Sequence, residues 1–135
     1  MKAVTLLFLS LGFVATGWAQ EAIHLPTSTP EVFKDNITVE KLSTDANQSS
    51  FLIWVKDTVR PHHHAEHTEC IYVLEGEGTF YLGTNKMELK PGDYVRIPQG
   101  VVHSFKTRSP VPAKVLSIQT PEFLGEDRIW SDHQH

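Results

Sequence analysis

The sequence predicts an all-β domain, a sandwich or small barrel of short strands, and three observations carry that reading. From about Ile37 onward the chain is a series of short runs rich in Val, Ile, Phe and Tyr, with no convincing helix. Turn residues separate these runs at intervals of roughly 8–12 residues, the spacing of sandwiches and small barrels. The gaps are too short for the helical crossovers of about a dozen residues that a parallel α/β sheet requires.

The strands follow in order. Phe51-Leu52-Ile53-Trp54-Val55 is a continuous apolar, β-branched and aromatic run. Ile71–Leu74, Thr79–Leu82, Lys86–Leu89, Tyr94–Ile97, Val101–Phe105 and Ala113–Ile118 come after it. Gly76 and Gly78 mark one reversal and Gly83-Thr84-Asn85 the next. Pro91-Gly92-Asp93 and Pro98-Gln99-Gly100 mark two more. The stretch from Pro121 to Trp130 is expected to pack across the barrel or against a neighbouring subunit.

The ends of the chain predict its compartment. Lys2 precedes an apolar run from Val4 to Val14, and the small residues Gly17 and Ala19 frame a cleavage site. This is the three-part pattern of a secretory signal peptide over residues 1–19, cleaved after Ala19. The apolar run is short for a bilayer span of about 20 residues, so the mature protein is expected to be periplasmic or secreted, off the membrane. Residues 20–36 are polar and unpatterned and read as a loosely structured leader. Residues 37–135 then form a single domain, with a barrel core at about 51–118. Without Lys2 the chain carries 11 basic and 16 acidic residues, a formal charge of −5. The basic residues are scattered, which argues against nucleic acid, and no basic amphipathic segment is present for an anionic membrane surface. Cys70 is the single cysteine, so stability must come from the core, a metal or a partner subunit.

The segment Pro61-His62-His63-His64-Ala65-Glu66-His67-Thr68-Glu69 is the strongest chemical signal. On an extended strand residues i and i+2 face the same way, so His62 and His64 are able to share one cavity while His63 points elsewhere. Glu69 opens the next strand and returns beside them, with Ile71 and Val73 on its face and Cys70 turned away. Imidazoles with a carboxylate suit first-row transition metals. An exposed, weakly metal-binding His loop and a protonation switch are the alternatives. His63 and His67 are expected at the surface, with a place behind the ligands or at the pocket rim as the alternative. Further on, Gly92-Asp93-Tyr94-Val95-Arg96-Ile97-Pro98-Gln99-Gly100-Val101-Val102-His103 delivers one more imidazole. Alternation places Val101 and Phe105 on its face. Taken alone, that His reads as a satisfied core residue.

Together the two segments resemble the cupin superfamily. Its first motif, G-x5-H-x-H-x(3,4)-E-x6-G, is matched by His62, His64, Glu69 and Gly76, with Lys56 in place of the opening Gly. Its second, G-x5-P-x-G-x2-H-x3-N, is matched by Gly92, Pro98, Gly100 and His103, with Thr107 in place of the final Asn. The matches span about Phe51 to Ile118, half of the chain. The resemblance implies a double-stranded β-helix, or jelly-roll barrel. It also implies one divalent transition metal held by His62, His64, Glu69 and His103. Fe, Mn, Ni or Cu is favoured over Zn, which usually stops at four ligands. A homodimer is implied as well.

Three functions fit this pattern. The first is a metal-dependent enzyme on a small organic substrate, dioxygenase-like or an isomerase or lyase, with catalytic residues unassigned. The second is a non-catalytic module for a small ligand such as a sugar or organic acid. The third is an envelope metal-binding protein, to which His63, His67, His133 and His135 would contribute. The sequence leaves Trp54, Tyr72, Tyr81 and Arg96 unplaced with respect to any site.

Overall fold

The computed structural model of the protein describes residues 22–33 and 35–132. The signal segment at 1–19, and His133 and His135, lie outside the described residues. Among those described, no helix is long and apolar enough to cross a membrane. The strands are β1 (Ile37–Asp45), β2 (Gln48–Val55), β3 (Thr58–His63), β4 (Thr68–Glu75), β5 (Gly78–Leu82), β6 (Asn85–Leu89), β7 (Tyr94–Ile97), β8 (His103–Thr107), β9 (Ala113–Thr120) and β10 (Ile129–Trp130). They form two five-stranded sheets, ordered β1-β2-β9-β4-β7 and β10-β3-β8-β5-β6, with every pairing antiparallel. This is the double-stranded β-helix that the sequence predicts.

Alternation sorts the side chains. On β4, Glu69, Ile71 and Val73 are buried, while Tyr72 between them is exposed. Val55, Ile71, Val73, Phe80, Leu89, Val95, Ile97, Phe105 and Ala113 form the shared core between the sheets. Fully burying an aliphatic or aromatic side chain of this kind stabilises the fold by about 1.5–3 kcal/mol, so these facing rows dominate its stability. The β4–β5 reversal depends on Gly76, whose φ is +73°. A Cβ there would lie 2.8 Å from the Ala113 Cα, so both conformation and space select glycine.

β2 is buried on both faces. Leu52 and Trp54, which turn away from the barrel interior, are as buried as Val55. Their cover is the segment expected to be a loose leader. Phe33 meets Trp54 edge to face at 6.4 Å. A 3-10 turn at Leu25–Thr27 brings carbonyls of Leu25, Pro26 and Ser28 to 3.4, 2.8 and 3.1 Å from the Lys114 Nζ. Lys114 donates to all three and lies 3.5 Å from a Glu75 carboxylate oxygen. A buried ammonium is costly unless its donors are satisfied, and here the leader's own backbone satisfies them. The segment is therefore seated on the sheet, more ordered than its composition suggests.

Val101–Phe105 is read from sequence as one strand, but β8 begins only at His103. The Val102 carbonyl instead accepts from the Gly83 amide at 2.8 Å. Val101 thus drops out of the alternation, and Phe105 alone keeps the place beside His103.

Gly78 opens β5 under the Phe105 ring, where an added Cβ would fall 2.1 Å from Phe105 Cζ and 2.5 Å from the Lys106 carbonyl oxygen. Gly78→Ala is expected to destabilise the domain by about 2 kcal/mol through overpacking. In thermal denaturation this should appear as a fall in Tm of about 10 °C.

Candidate metal centre

One end of the barrel gathers the imidazoles. His62 near the end of β3 pairs directly with His103 at the start of β8. The β3–β8 register shifts between Val59 and His62, where Pro61 lacks an amide to donate. Such a bulge tolerates proline and re-aims the side chain that follows. His64 lies just past β3, and its carbonyl accepts from the Gly100 amide at 2.7 Å. Ring centroids are 4.2 Å apart for His62–His103, 5.1 Å for His62–His64 and 5.4 Å for His64–His103. One nitrogen from each of the three rings lies within 4.8 Å of the others, and all three residues are buried. Glu69 reaches in from β4 on the opposite sheet. Its Oε2 is 3.3 Å from His64 Nε2 and 3.5 Å from His103 Nε2. The structure thus brings all four sequence-predicted residues to one place.

The hydrogen bonds behind the rings define what the cluster does. Nδ1 of His62 meets the Arg60 carbonyl at 2.9 Å, and Nδ1 of His103 meets the Val101 carbonyl at 3.1 Å. Nδ1 of His64 meets the Asp127 carbonyl. A carbonyl only accepts, so each Nδ1 carries a proton and each ring turns its Nε2 inward, where it offers a lone pair once deprotonated. The His103 Nε2 is buried with no hydrogen-bond partner. Ser117 Oγ donates to the Glu69 Oε1 at 2.5 Å, leaving Oε2 toward the imidazoles.

Electrostatics agree with this arrangement. Burial, then the neighbouring His103, pushes His62 down to about 4. Burial opposes charge on Glu69 too, but the adjoining His103 and His64 imidazoles and the Ser117 hydroxyl outweigh it and hold the carboxyl well below the usual range. His64 is raised: burial acts against protonation, and the bonds to Glu69 and the Asp127 carbonyl overcome it. The cluster thus turns three imidazole Nε2 atoms toward an ionised carboxylate. That donor set fits a divalent transition metal.

The remaining histidines divide. His63 is half-buried and stands outside the cluster. His67, expected at the surface, is buried instead. Its Nδ1 lies 2.6 Å from Asp127 Oδ2 and its Nε2 2.9 Å from the Glu122 carbonyl. Asp127 also accepts from the amides of Ala65 and Glu66, each at 2.8 Å. Burial works against its ionisation, yet the bonds from His67 and those amides bring its carboxyl down to about 2. One residue far along the chain therefore fixes the whole loop that carries His64. Cys70 faces away, and the Tyr94 hydroxyl lies 2.9 Å from its Sγ. Thr107, at the motif's Asn position, donates to the Val55 carbonyl at 2.9 Å and ties β8 to β2. Lys56, at the motif's first Gly position, is exposed, with its ammonium 5.7 Å from the Phe33 ring centroid. Both departures sit away from the four clustered side chains.

A cavity of about 310 Å3 opens from the cluster into the barrel. Ile53, Val55, Val73, Phe80, Phe105 and Val115 are among its walls, so most of its lining is apolar. Arg128 and Trp130 close one side. Trp130 packs 5.6 Å from His62 and carries the Arg60 guanidinium 4.9 Å from its ring centroid. Trp54, Tyr72, Tyr81 and Arg96 do not line the cavity. The sequence places the Pro121–Trp130 stretch across the barrel or a neighbouring subunit but does not single out Asp127, Arg128 or Trp130, and the strand β10 at Ile129–Trp130 is too short to leave a pattern. The only available signal was a pair of aromatics, Phe123 and Trp130, in a polar tail.

The family model described as "Cupin domain" matches residues 50–119. An uncharacterized protein of Aquifex aeolicus is 39% identical over 95 residues, covering 70% of this chain and 78% of that protein. Quercetin 2,3-dioxygenase of Bacillus subtilis is 38% identical over 65 residues, which cover 48% of this chain and only 19% of the enzyme. Among solved structures, Streptomyces PAC13 with uridine superposes with a TM-score of 0.65 at 15% identity, covering 77% of this chain and 85% of that one. That last likeness concerns the fold alone.

Asp127→Ala removes the acceptors of two loop amides and His67. Loss of an outlying partner that orients a ligand commonly costs 10–100-fold in metal affinity. A drop of about that size is expected in a chelator competition titration, with Asp127→Asn recovering part of it through the acceptor that it retains.

Proposed function

The chain belongs to the cupin domain family, and from that premise we propose that it is an exported metal-dependent enzyme acting on a small organic substrate. His62, His64, Glu69 and His103 hold one divalent transition metal, with Fe, Mn, Ni or Cu favoured over Zn. The reaction is dioxygenase-like or, failing that, an isomerase or lyase step. The observation that carries this reading is the convergence of three inward Nε2 atoms and an ionised carboxylate at the end of an apolar chamber. A structural metal needs no adjoining cavity. A catalytic one needs an open position and room for a substrate beside it.

When bound, the metal supplies Lewis acidity to a substrate oxygen. The chain's residues do the rest. The carbonyls of Arg60, Asp127 and Val101 fix the imidazole tautomers. Ser117 orients the Glu69 carboxylate. The aliphatic and aromatic walls exclude water and favour a substrate whose body is apolar. Residues 1–19 are cleaved on export, and the mature protein works as a homodimer in the periplasm or outside the cell.

Metal analysis of protein isolated from its native host, followed by oxygen-uptake assays on small aromatic and enolisable compounds, tests this reading. Less than one metal per two chains, with no uptake after reloading by Fe(II), Mn(II), Ni(II) or Cu(II), would overturn the oxidative form. His103→Ala is expected to abolish tight metal binding in a dialysis assay, while His63→Ala retains wild-type stoichiometry.

A further inference from the structure

Besides Ser104 and Arg128, the chamber is lined by a polar residue that the metal centre does not use. Gln119 lies on β9, directly opposite Glu69 on β4 and Ser49 on β2. Its side chain lines the cavity, and it is only 3% exposed. Unlike Glu69 and Ser117 beside it, it has no role in holding the imidazoles. Its Oε1 is buried without a hydrogen-bond partner.

A buried amide oxygen left unpaired is unfavourable, and native interiors rarely keep one without a reason. An apolar residue of similar size would leave no unpaired acceptor there, and Ile53, Ile71, Val115 and Ile97 line the same chamber. Position supplies the reason. Cross-strand partners lie about 4.5–5.5 Å apart, so Gln119 stands one side chain from the carboxylate of the candidate metal centre, facing the same space.

We propose that Gln119 is a specificity-determining residue whose amide oxygen accepts a hydrogen bond from an O–H group on the ligand. The ligand is a small, largely apolar molecule that places this hydroxyl at its metal-facing end. The walls exclude a strongly hydrated body such as an unmodified sugar, and the amide rejects an analogue in which the hydroxyl is a methyl group. This rests on the reading of the chamber as a ligand site.

The test measures binding rather than turnover. Protein loaded with Zn(II), a redox-silent stand-in, is titrated with phenol and with toluene, its methyl isostere, and affinities are read by ligand-observed NMR. Wild-type protein is expected to prefer phenol. Gln119→Leu should shrink that preference about tenfold, the worth of one such hydrogen bond, with toluene affinity equal or higher. Removing the unpaired amide should also raise the Tm of ligand-free protein by about 4 °C. A phenol-to-toluene ratio unchanged in Gln119→Leu would overturn the role of Gln119 while leaving the chamber a ligand site. Failure of both probes to bind wild-type protein would overturn the ligand site, and this inference with it.

Discussion

Four electron-pair donors buried together in an apolar barrel are the constraint around which this molecule is arranged. Three imidazole Nε2 atoms and a carboxylate face one another, each from a buried residue. Such a cluster is tolerable only if every outer atom is tied down and the inner ones share a positive charge. The outer ties are all present. Three carbonyls accept the Nδ1 protons, and one serine hydroxyl fills the far side of Glu69. This is preorganisation at the expense of stability, since replacing the four groups by well-packed aliphatics would give a more stable but inert barrel.

Supporting that cluster draws on both ends of the described chain. At the amino end, three carbonyls close on Lys114 of β9 and Phe33 meets Trp54 of β2. At the carboxyl end, β10 adds an edge to the opposite sheet, and Asp127 anchors the loop carrying His64. Phe123 packs 5.7 Å from His64 and 5.2 Å from His67. Neither terminal segment lies within the family-matched region of residues 50–119. The shared barrel positions the imidazoles, and the flanking segments of this chain set how rigidly they are held and what closes over them.

The same division governs the cavity. Its floor comes from motif residues, and its side from Arg128 and Trp130, which no motif includes. Gln119 falls between these classes. It lies on a strand that the sequence displays plainly, yet its significance depends on register with Glu69, 50 positions away. Substrate choice in such a scaffold is decided by residues of this second kind, because the metal-facing groups are common to many chemistries.

Local pattern alone determined a good deal. Short alternating runs and glycine turns reveal the strands because strand period and turn conformation are properties of a few adjacent residues. The His62-x-His64 spacing with Glu69, joined to Gly92–His103, pointed to the four residues that the structure gathers at one end. Local pattern failed where long-range partners override it. His67 reads as a surface histidine until Asp127, 60 residues later, buries it. Residues 22–33 read as a loose leader until Lys114 gathers their carbonyls. Val101 reads as a strand residue until its neighbour Val102 is engaged by Gly83. The sequence therefore determined which chemistry is present, since that is written in residue type and short spacing. Only the tertiary structure decided what closes around it, because those contacts join segments whose mutual approach no local period encodes.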